Sequence, residues 1–380
     1  MKIRFTKICF FLVIPSLAFS QLYNTSLENQ SPVLASEKNQ LSMDFQSFSF
    51  IRNNEYFNKI ADGYTLFGNS ISPTIRYQPS EHFAINTGIF LNKDFGNDKL
   101  TAVQPIFSIK VQRDSAQFVF GNIATNQHHR LIEPMLNIER LISHQQAYGM
   151  QYRIQNGHKT FFDFWVDWQK MVYKGDNAKE TFLAGINLNK KVFEKNNFLL
   201  KIPFQATFKH RGGQIVIDTA RLSTEMNFAT GFEAFFKTKN SFFKEFIFQN
   251  YYLVFSDKSK TKPELSKGNA VYLNLTSKTA FGNLMLSYWQ GNNYFSPNGG
   301  DLFNSQSTNF KNKDHFESSR NLIILKFIKD IKLADYLDLH FRFEPYYDLN
   351  NRLFEHSESI FLTYKQRFVL KKIKKNLNTF

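Results

Sequence analysis

The chain has 380 residues, of which 42% are hydrophobic and 17% aromatic, with 44 phenylalanines, a formal charge of +15 and one cysteine, Cys9. After Cys9 no thiol remains, which excludes disulfides, CxxC redox chemistry and cysteine-based zinc sites from the rest of the chain. No later stretch holds the roughly 18 continuous apolar residues that a membrane-spanning helix needs.

The first twenty residues have the pattern of a cleaved secretory signal peptide. Lys2, Arg4 and Lys7 precede a short apolar run, and Ala18 and Ser20 supply small side chains at the two cleavage-defining positions. Cleavage there lowers the formal charge from +15 to +12 and starts the mature chain at Gln21. A nucleic-acid partner is not predicted, because the signal exports the protein and the basic residues are dispersed.

Residues 21–40 are polar and lack periodicity, so we predict a mobile N-terminal segment there. From residue 41 to residue 380 we predict a single domain of short strands. The clearest strand is 199–209, where apolar and polar side chains alternate with a period of two. The first five predicted strands are 41–52, 64–78, 83–94, 101–112 and 117–123.

The connections between predicted strands alternate in length. The short ones are 79–82, 113–116, 156–159, 194–197 and 239–241, and the long polar ones are 53–63, 124–146, 211–220, 257–268 and 296–314. Outer-membrane barrels combine short periplasmic turns with long outer loops. The predicted fold is therefore all-β: a transmembrane antiparallel up-and-down β-barrel of about 16 strands, with 14 to 18 acceptable, and apolar faces toward lipid.

Four prolines conflict with this prediction, because each falls inside a predicted strand and lacks the N–H that a ladder bond requires. We expect them at bulges or near strand ends. They are Pro73, Pro105, Pro203 and Pro345.

The insertion 124–146 is the densest polar stretch and, by order, the third outer loop. A helix starting at Glu133-Pro134 would place an apolar stripe against the inner wall and narrow a pore. The alternative is an ordinary loop folded over the mouth. The constriction-loop candidates are His129, Arg130, Glu133, Glu139 and Arg140.

Basic side chains at the polar positions of the alternating strands are predicted to face the lumen, where they would attract anions. Acidic residues share that parity, so the predicted anion preference is moderate, and cross-strand pairing that only fills the interior is the alternative. The lumen candidates are Arg153, Lys201, Lys209, His340, Arg342, Lys365 and Arg367.

Neither a metal site nor a cofactor is predicted. His128 and His129 are adjacent, so on an extended segment they point in opposite directions. Ser143 and His144 are sequence neighbours, which does not establish a nucleophile–base contact, and no G-x-S-x-G or H-E-x-x-H motif occurs. An enzyme is therefore not the leading prediction.

The signal peptide, the period-two aromatic strands, the alternating connections and the terminal Phe380 resemble the porin-like outer-membrane β-barrel proteins of Gram-negative bacteria. The resemblance implies an outer-membrane location and a channel for small hydrophilic solutes. A non-conducting barrel with a structural, adhesion or secretion-complex role is the alternative, and a barrel-rim hydrolase is the third. Expected partners are outer-membrane lipid and lipopolysaccharide, the solutes, and either a second copy of the chain or a lipoprotein or secretion component.

Overall fold

The computed structural model describes residues 27–28, 31–219, 221–259 and 265–373. The predicted signal peptide, Gln21 and Phe380 lie outside the described residues. Among those described, no helix has the length and apolar character to cross a membrane.

One antiparallel sheet accounts for nearly all of the regular structure. Its segments β2 and β3 are the two halves of one wall strand, because both pair with β1 and with β4. The described residues thus form 16 wall strands, and pairing of β17 with β1 closes the ring. The segments are β1 (Gln40–Glu55), β2 (Tyr64–Ile71), β3 (Thr74–Gln78), β4 (Phe83–Asp94), β5 (Ala102–Arg113), β6 (Ala116–Asn122), β7 (Tyr148–Asn156), β8 (Thr160–Lys170), β9 (Glu180–Lys195), β10 (Phe198–Gly212), β11 (Ser223–Lys237), β12 (Phe243–Asp257), β13 (Lys267–Thr279), β14 (Asn283–Asn292), β15 (Ser319–Ala334), β16 (Leu337–Asp348) and β17 (Leu353–Lys372).

The connections confirm the predicted up-and-down barrel. The inner turns are 79–82, 114–115, 157–159, 196–197, 238–242, 280–282 and 335–336, and the outer loops are 56–63, 95–101, 123–147, 171–179, 213–222, 258–266, 293–318 and 349–352. Only the last outer loop is as short as a turn. The start of β1 and the end of β17 lie on the side of the inner turns.

Each of the four prolines lies where one of its two ladders is interrupted. Pro73 separates β2 from β3. Pro105 pairs with β4, but the pairing of β5 with β6 begins only at Ser108, so Pro105 has no partner on β6. Pro203 pairs with β9 but is missing from the ladder to β11, and Pro345 pairs with β17 but is missing from the ladder to β15. The missing N–H therefore falls where the ladder is already broken.

The wall is apolar outside and polar inside, as the alternation predicts. On β10, Phe204 is 40% exposed while its neighbour Gln205 is fully buried. Exposed outward side chains on other strands include Phe232, Leu273 and Ile323. Alternate positions along each strand therefore face the lipid and the lumen in turn.

The lumen is partly filled by two outer loops. Loop 293–318 brings Tyr294, Leu302 and Phe303 into an aromatic cluster with Tyr272 and Trp289 of the wall. Loop 123–147 contributes to the same cluster and to a second one around Trp165. The side of the barrel formed by β12–β16 is therefore packed, and the remaining space lies against β17 and β1–β7.

Candidate functional site

Loop 123–147 lies inside the barrel at the height of the strand centres. Ile132 N donates to Gln205 Oε1 at 2.9 Å, and Asn187 Nδ2 donates to the carbonyls of His129 and Arg130 at 2.8 Å each. Gln205 and Asn187 are central residues of β10 and β9. The first of the two arrangements considered for this loop, insertion into the lumen, is the one found.

The helix that the sequence suggested at Glu133-Pro134 is instead a single turn. Met135 N and Leu136 N both donate to the Ile132 carbonyl, but Asn137 N then bonds the Asn298 carbonyl of the other inserted loop. Because that donor is used between loops, the turn does not continue. The loop has one α-helical turn, at Arg140–Ser143, and a 3-10 turn at Asn126–His129.

A buried charge cluster ties loop 123–147 to the wall, and we call it the clamp. Glu133 bonds Lys326 and lies 3.2 Å from Arg342, and Glu139 lies 3.4 Å from Arg52. Glu344 of the wall contacts all three cations. Its carboxylate lies 3.5 Å from Arg52 and 3.2 Å from Lys326, and it also bonds Arg342. The clamp comprises Arg52, Glu133, Glu139, Lys326, Arg342 and Glu344. Three carboxylates thus face three cations where the loop meets the wall.

The other constriction candidates are also held. His129 Nδ1 lies 2.7 Å from Asp163 Oδ2, and its ring stacks on Trp165 with centroids 4.1 Å apart. Arg130 lies over the Phe161 ring at 4.4 Å. Arg140 makes a 3.4 Å contact with Asn298 of loop 293–318. Instead of lining an open pore, these side chains fix the loop.

The N-terminal segment also enters the lumen, and we call its described residues 27–28 and 31–38 the strap. Glu28 accepts two bonds from Arg130, at 2.9 and 3.0 Å. Ser31 Oγ accepts from Arg76 at 2.8 Å and from Arg367 at 3.0 Å. The mobility expected for residues 21–40 stays a prediction, but the strap is attached to the inner wall.

The lumen candidates lie on the inward parity but are dispersed. Arg342 belongs to the clamp, and His340 lies 2.8 Å from Asp330 and 3.1 Å from Thr363. Arg367 bonds Glu37 and Asp44. Lys201 lies over the Phe235 ring, 5.4 Å from its centroid, and Lys209 is opposite Glu225 on the neighbouring strand. Only the remaining two, Arg153 and Lys365, line the main cavity. Their role in a solute path stays a prediction.

That cavity has a volume of about 470 Å³ and lies between the strap, loop 123–147 and the side of the wall formed by β17 and β1–β7. Its lining extends from Asp114 and Gly157 at the inner turns to Asn122 and Gln146 at the outer end of β6. The lining is mostly amide and hydroxyl groups. Its charged residues are Asp44, Lys110, Asp114, Arg153 and Lys365.

Ser143 and His144 do meet, with Ser143 Oγ 3.0 Å from His144 Nδ1. Burial, together with Arg140 and Lys209, lowers the pKa of His144 to about 4. No carboxylate of the described residues bonds the His144 ring, so the pair lacks the orienting group that a hydrolytic triad requires. Among described residues, no group of three or more His, Cys, Asp or Glu is placed to hold a metal ion.

A second polar constellation lies on the outward face at the outer end of β2, β1 and β17. His356 Nδ1 lies 2.8 Å from Glu358 Oε2, and Asn53 Nδ2 donates to Glu358 Oε1 at 2.9 Å and to Glu55 Oε1 at 2.8 Å. Thr65 Oγ1 donates to Asn53 Oδ1 at 2.7 Å. We call these five residues the rim cluster. They lie on the lipid side of the wall, near the level expected for the lipid headgroups.

The family model described as lipid A 3'-O-deacylase-type matches residues 33–373, which is nearly all of the described barrel. The chain belongs to this lipid A 3'-O-deacylase-type family. No curated protein matches the sequence.

Solved outer-membrane proteins share the fold of this family member. A loop-deleted OmpT of Vibrio cholerae matches with a TM-score of 0.50 at 11% identity, covering 86% of this chain and 99% of that chain. OprD of Pseudomonas aeruginosa matches with a TM-score of 0.50 at 9% identity, covering 86% and 94%. Outer-membrane expressed OmpT of Vibrio cholerae matches with a TM-score of 0.50 at 10% identity, covering 89% and 100%. The chain therefore has a porin-like outer-membrane β-barrel fold.

Sequence reasoning missed the rim cluster of this family member, although a signal was present. In β17 the outward parity reads Phe354, His356, Glu358, Ile360, so two ionisable groups interrupt an apolar face. Polar residues on the lipid-facing parity were visible in the sequence, but only the pairing of β17 with β1 shows that they join Asn53 and Glu55.

Proposed function

We propose that this protein is a narrow outer-membrane channel for small hydrophilic solutes, with the path along β17 and β1–β7. The observation that carries the proposal is the polar cavity of about 470 Å³ whose lining extends from the inner turns to the outer end of β6. The packed β12–β16 side and the clamp exclude a wide pore. The expected conductance is therefore well below that of an open 16-strand barrel.

Charge along this path favours a moderate preference for anions. Lys110, Arg153 and Lys365 are the cations of the lining. Of its two acids, Asp44 is bonded to Arg367 and Asp114 lies in an inner turn at one end of the path. Arg153 is itself 3.3 Å from Asp163, which reduces its contribution. Cationic groups in a low-dielectric passage raise the local concentration of anions.

Planar-bilayer recording tests the channel. We expect small stepwise conductance and a reversal potential in a KCl gradient that favours chloride. The variant Lys110→Gln with Lys365→Gln lowers that preference, whereas Lys190→Gln on the outward face of β9 leaves it unchanged. Absence of conductance from protein that shows the heat-modifiable mobility of a folded barrel contradicts the proposal and favours the non-conducting alternative.

A second candidate function is hydrolysis of an acyl ester in an outer-leaflet lipid, and both the family and the rim cluster favour it. Glu358 holds Nδ1 of His356, so Nε2 is the nitrogen that takes a proton from water. The water oxygen attacks the ester carbonyl, the bond to the alcohol oxygen breaks, and the proton passes to that oxygen. The products are a fatty acid and a free hydroxyl on the lipid.

Mass spectrometry of lipid A incubated with the purified barrel tests this activity. We expect loss of one acyl chain, abolished by His356→Ala and reduced about 10- to 100-fold by Glu358→Gln, because the base then loses its orienting carboxylate. His144→Ala is the matched control and retains activity, since His144 lies on the inserted loop. No acyl loss, or equal loss in His356→Ala, contradicts the second candidate.

A further inference from the structure

The outward face carries polar side chains at mid-strand where β17, β1 and β2 meet. Asn69 Nδ2 donates to Ser47 Oγ at 3.0 Å and to Ser49 Oγ at 2.8 Å. Tyr364 OH donates to Gln366 Oε1, two residues further along β17. We call these five residues the seam patch, because they lie across the β17–β1 junction that closes the barrel.

The outward direction of the seam patch follows from the register. Ser47 pairs with Tyr364, and Ser49 pairs with Asn69, so the members of each pair share one face. Phe50, of the opposite parity, is buried inside with Leu27 of the strap and with loop 123–147. The seam patch therefore faces away from the lumen.

Depth makes the seam patch unusual. Ser47 is near the middle of β1, and Tyr364 is near the middle of β17. Most outward residues at comparable positions elsewhere are apolar, such as Phe204 on β10, Phe232 on β11 and Leu273 on β13. The outward Asn250 in the middle of β12 is flanked by Phe232 and Leu273 and not by a cluster of polar side chains. Polar groups facing hydrocarbon lose their water, and each one that remains without a hydrogen bond costs free energy.

We infer that the seam patch is a membrane-embedded interface between two copies of this chain. Its depth requires an occupant that is itself within the membrane. The patch has no charged group and combines hydroxyl donors with amide oxygens, so two copies related by a two-fold axis present matching partners. The side-chain oxygen of Asn69 accepts no bond from a described residue and is available to accept one across the axis.

The small size of the central side chains also supports a second copy of this chain as the occupant of the seam patch. Ser47 and Ser49 lie at the centre of the patch, and small residues let two membrane-embedded walls approach closely. Phe45 and Phe67 lie at its edge on the same outward face, with Phe45 6.1 Å from the Tyr364 ring. An apolar border around a polar centre would seal the hydrogen bonds from lipid. The inference is independent of whether the barrel conducts or hydrolyses.

Photo-crosslinking in native outer membranes tests the interface. A benzoylphenylalanine at position 49 is compared with one at position 273, which is at similar depth on β13, separated from β1 by four wall strands. We expect an adduct of twice the monomer mass at position 49 and at least tenfold less at position 273. Equal yields, no adduct, an adduct with lipid, or one of another protein's mass overturns the inference.

A second variant separates loss of the interface from loss of folding. Asn69→Leu with Ser49→Leu replaces the polar centre by apolar groups that lipid solvates well. We expect the dimer dissociation constant in mild detergent to rise at least tenfold, while heat-modifiable mobility shows that the barrel still folds. A folded variant that dimerises as well as the parent overturns the inference.

Discussion

Asp301 illustrates how a single buried side chain makes stability depend on pH. It lies in a short 3-10 turn of loop 293–318, where burial, with Glu139 and Asp62 nearby, raises its pKa from 3.8 to about 6. The folded state therefore binds this proton more tightly than the unfolded chain. Its contribution to stability is present below pH about 4 and is lost as pH rises through about 6.

Asp301→Asn removes this dependence while keeping a polar side chain beside Thr308. We expect the variant to be more stable than the parent by about 2 to 3 kcal/mol at pH 7.5 and equal to it at pH 4. Urea unfolding in lipid vesicles at both pH values measures the difference. Asp335→Asn in an exposed inner turn is the control, and a similar gain there contradicts the explanation.

Gly185 leaves space for the indole ring of Trp165, which lies against it. A Cβ at this position would lie 2.4 Å from Trp165 Cζ2. Trp165 in turn stacks on His129, which Asp163 holds in place. The absence of a side chain on β9 thus leaves room for the ring that supports loop 123–147.

Gly185→Ala therefore displaces Trp165 and loosens the loop. We expect a loss of about 1 to 3 kcal/mol, the range for overpacking a filled site, with faster protease cleavage within 123–147. Gly175→Ala is the control, since a Cβ there meets no atom within 4 Å, and although its φ of +88° adds strain, it lies in another loop. Equal cleavage rates of loop 123–147 in the parent and Gly185→Ala would count against this role.

At the scale of elements, the clamp is what holds loop 123–147 across the lumen. Its carboxylates come from two places, with Glu133 and Glu139 on the loop and Glu344 on the wall, while Arg52, Lys326 and Arg342 are all on wall strands. Removing the two loop carboxylates leaves three buried cations and one acid. Uncompensated buried charge is strongly unfavourable, so the loop loses its main reason to stay against this wall.

The variant Glu133→Gln with Glu139→Gln is expected to raise single-channel conductance several-fold and to add flickering as the loop moves. Planar-bilayer recording measures both. Glu81→Gln with Glu194→Gln, two carboxylates at exposed inner turns, is the matched control. Unchanged conductance in a folded clamp variant would show that other contacts fix the loop.

The sequence predicted elements better than the contacts between them. Alternation and connection length sufficed for the strands, and the apolar stripe 131–142 indicated a loop that packs on an inner wall. Arg52 and Lys326 were not predicted as partners of that loop, because their spacing along the chain does not indicate which wall strand meets it. The strap was missed for a related reason: its anchors, Arg76 and Arg367, belong to the wall and are polar like many others.

At the scale of the molecule, the ring depends on the pairing of its first and last strands. Gln40 pairs with Lys372, so the register of closure joins residues from the two ends of the barrel. A chain ending at residue 352 lacks β17 and exposes the edges of β16 and β1. We expect it to show no heat-modifiable mobility and to aggregate, whereas a chain ending at residue 373 behaves as the parent. Electrophoresis without boiling measures this.

The strap bonds wall residues on both sides of that junction, Arg76 on β3 and Arg367 on β17, and it does so from within. Arg76 and Arg367 belong to strands that pair with β1 on its two sides, so the strap contacts both neighbours of the first strand. These bonds exist together only in the closed ring, and they oppose separation of the last strand from the first.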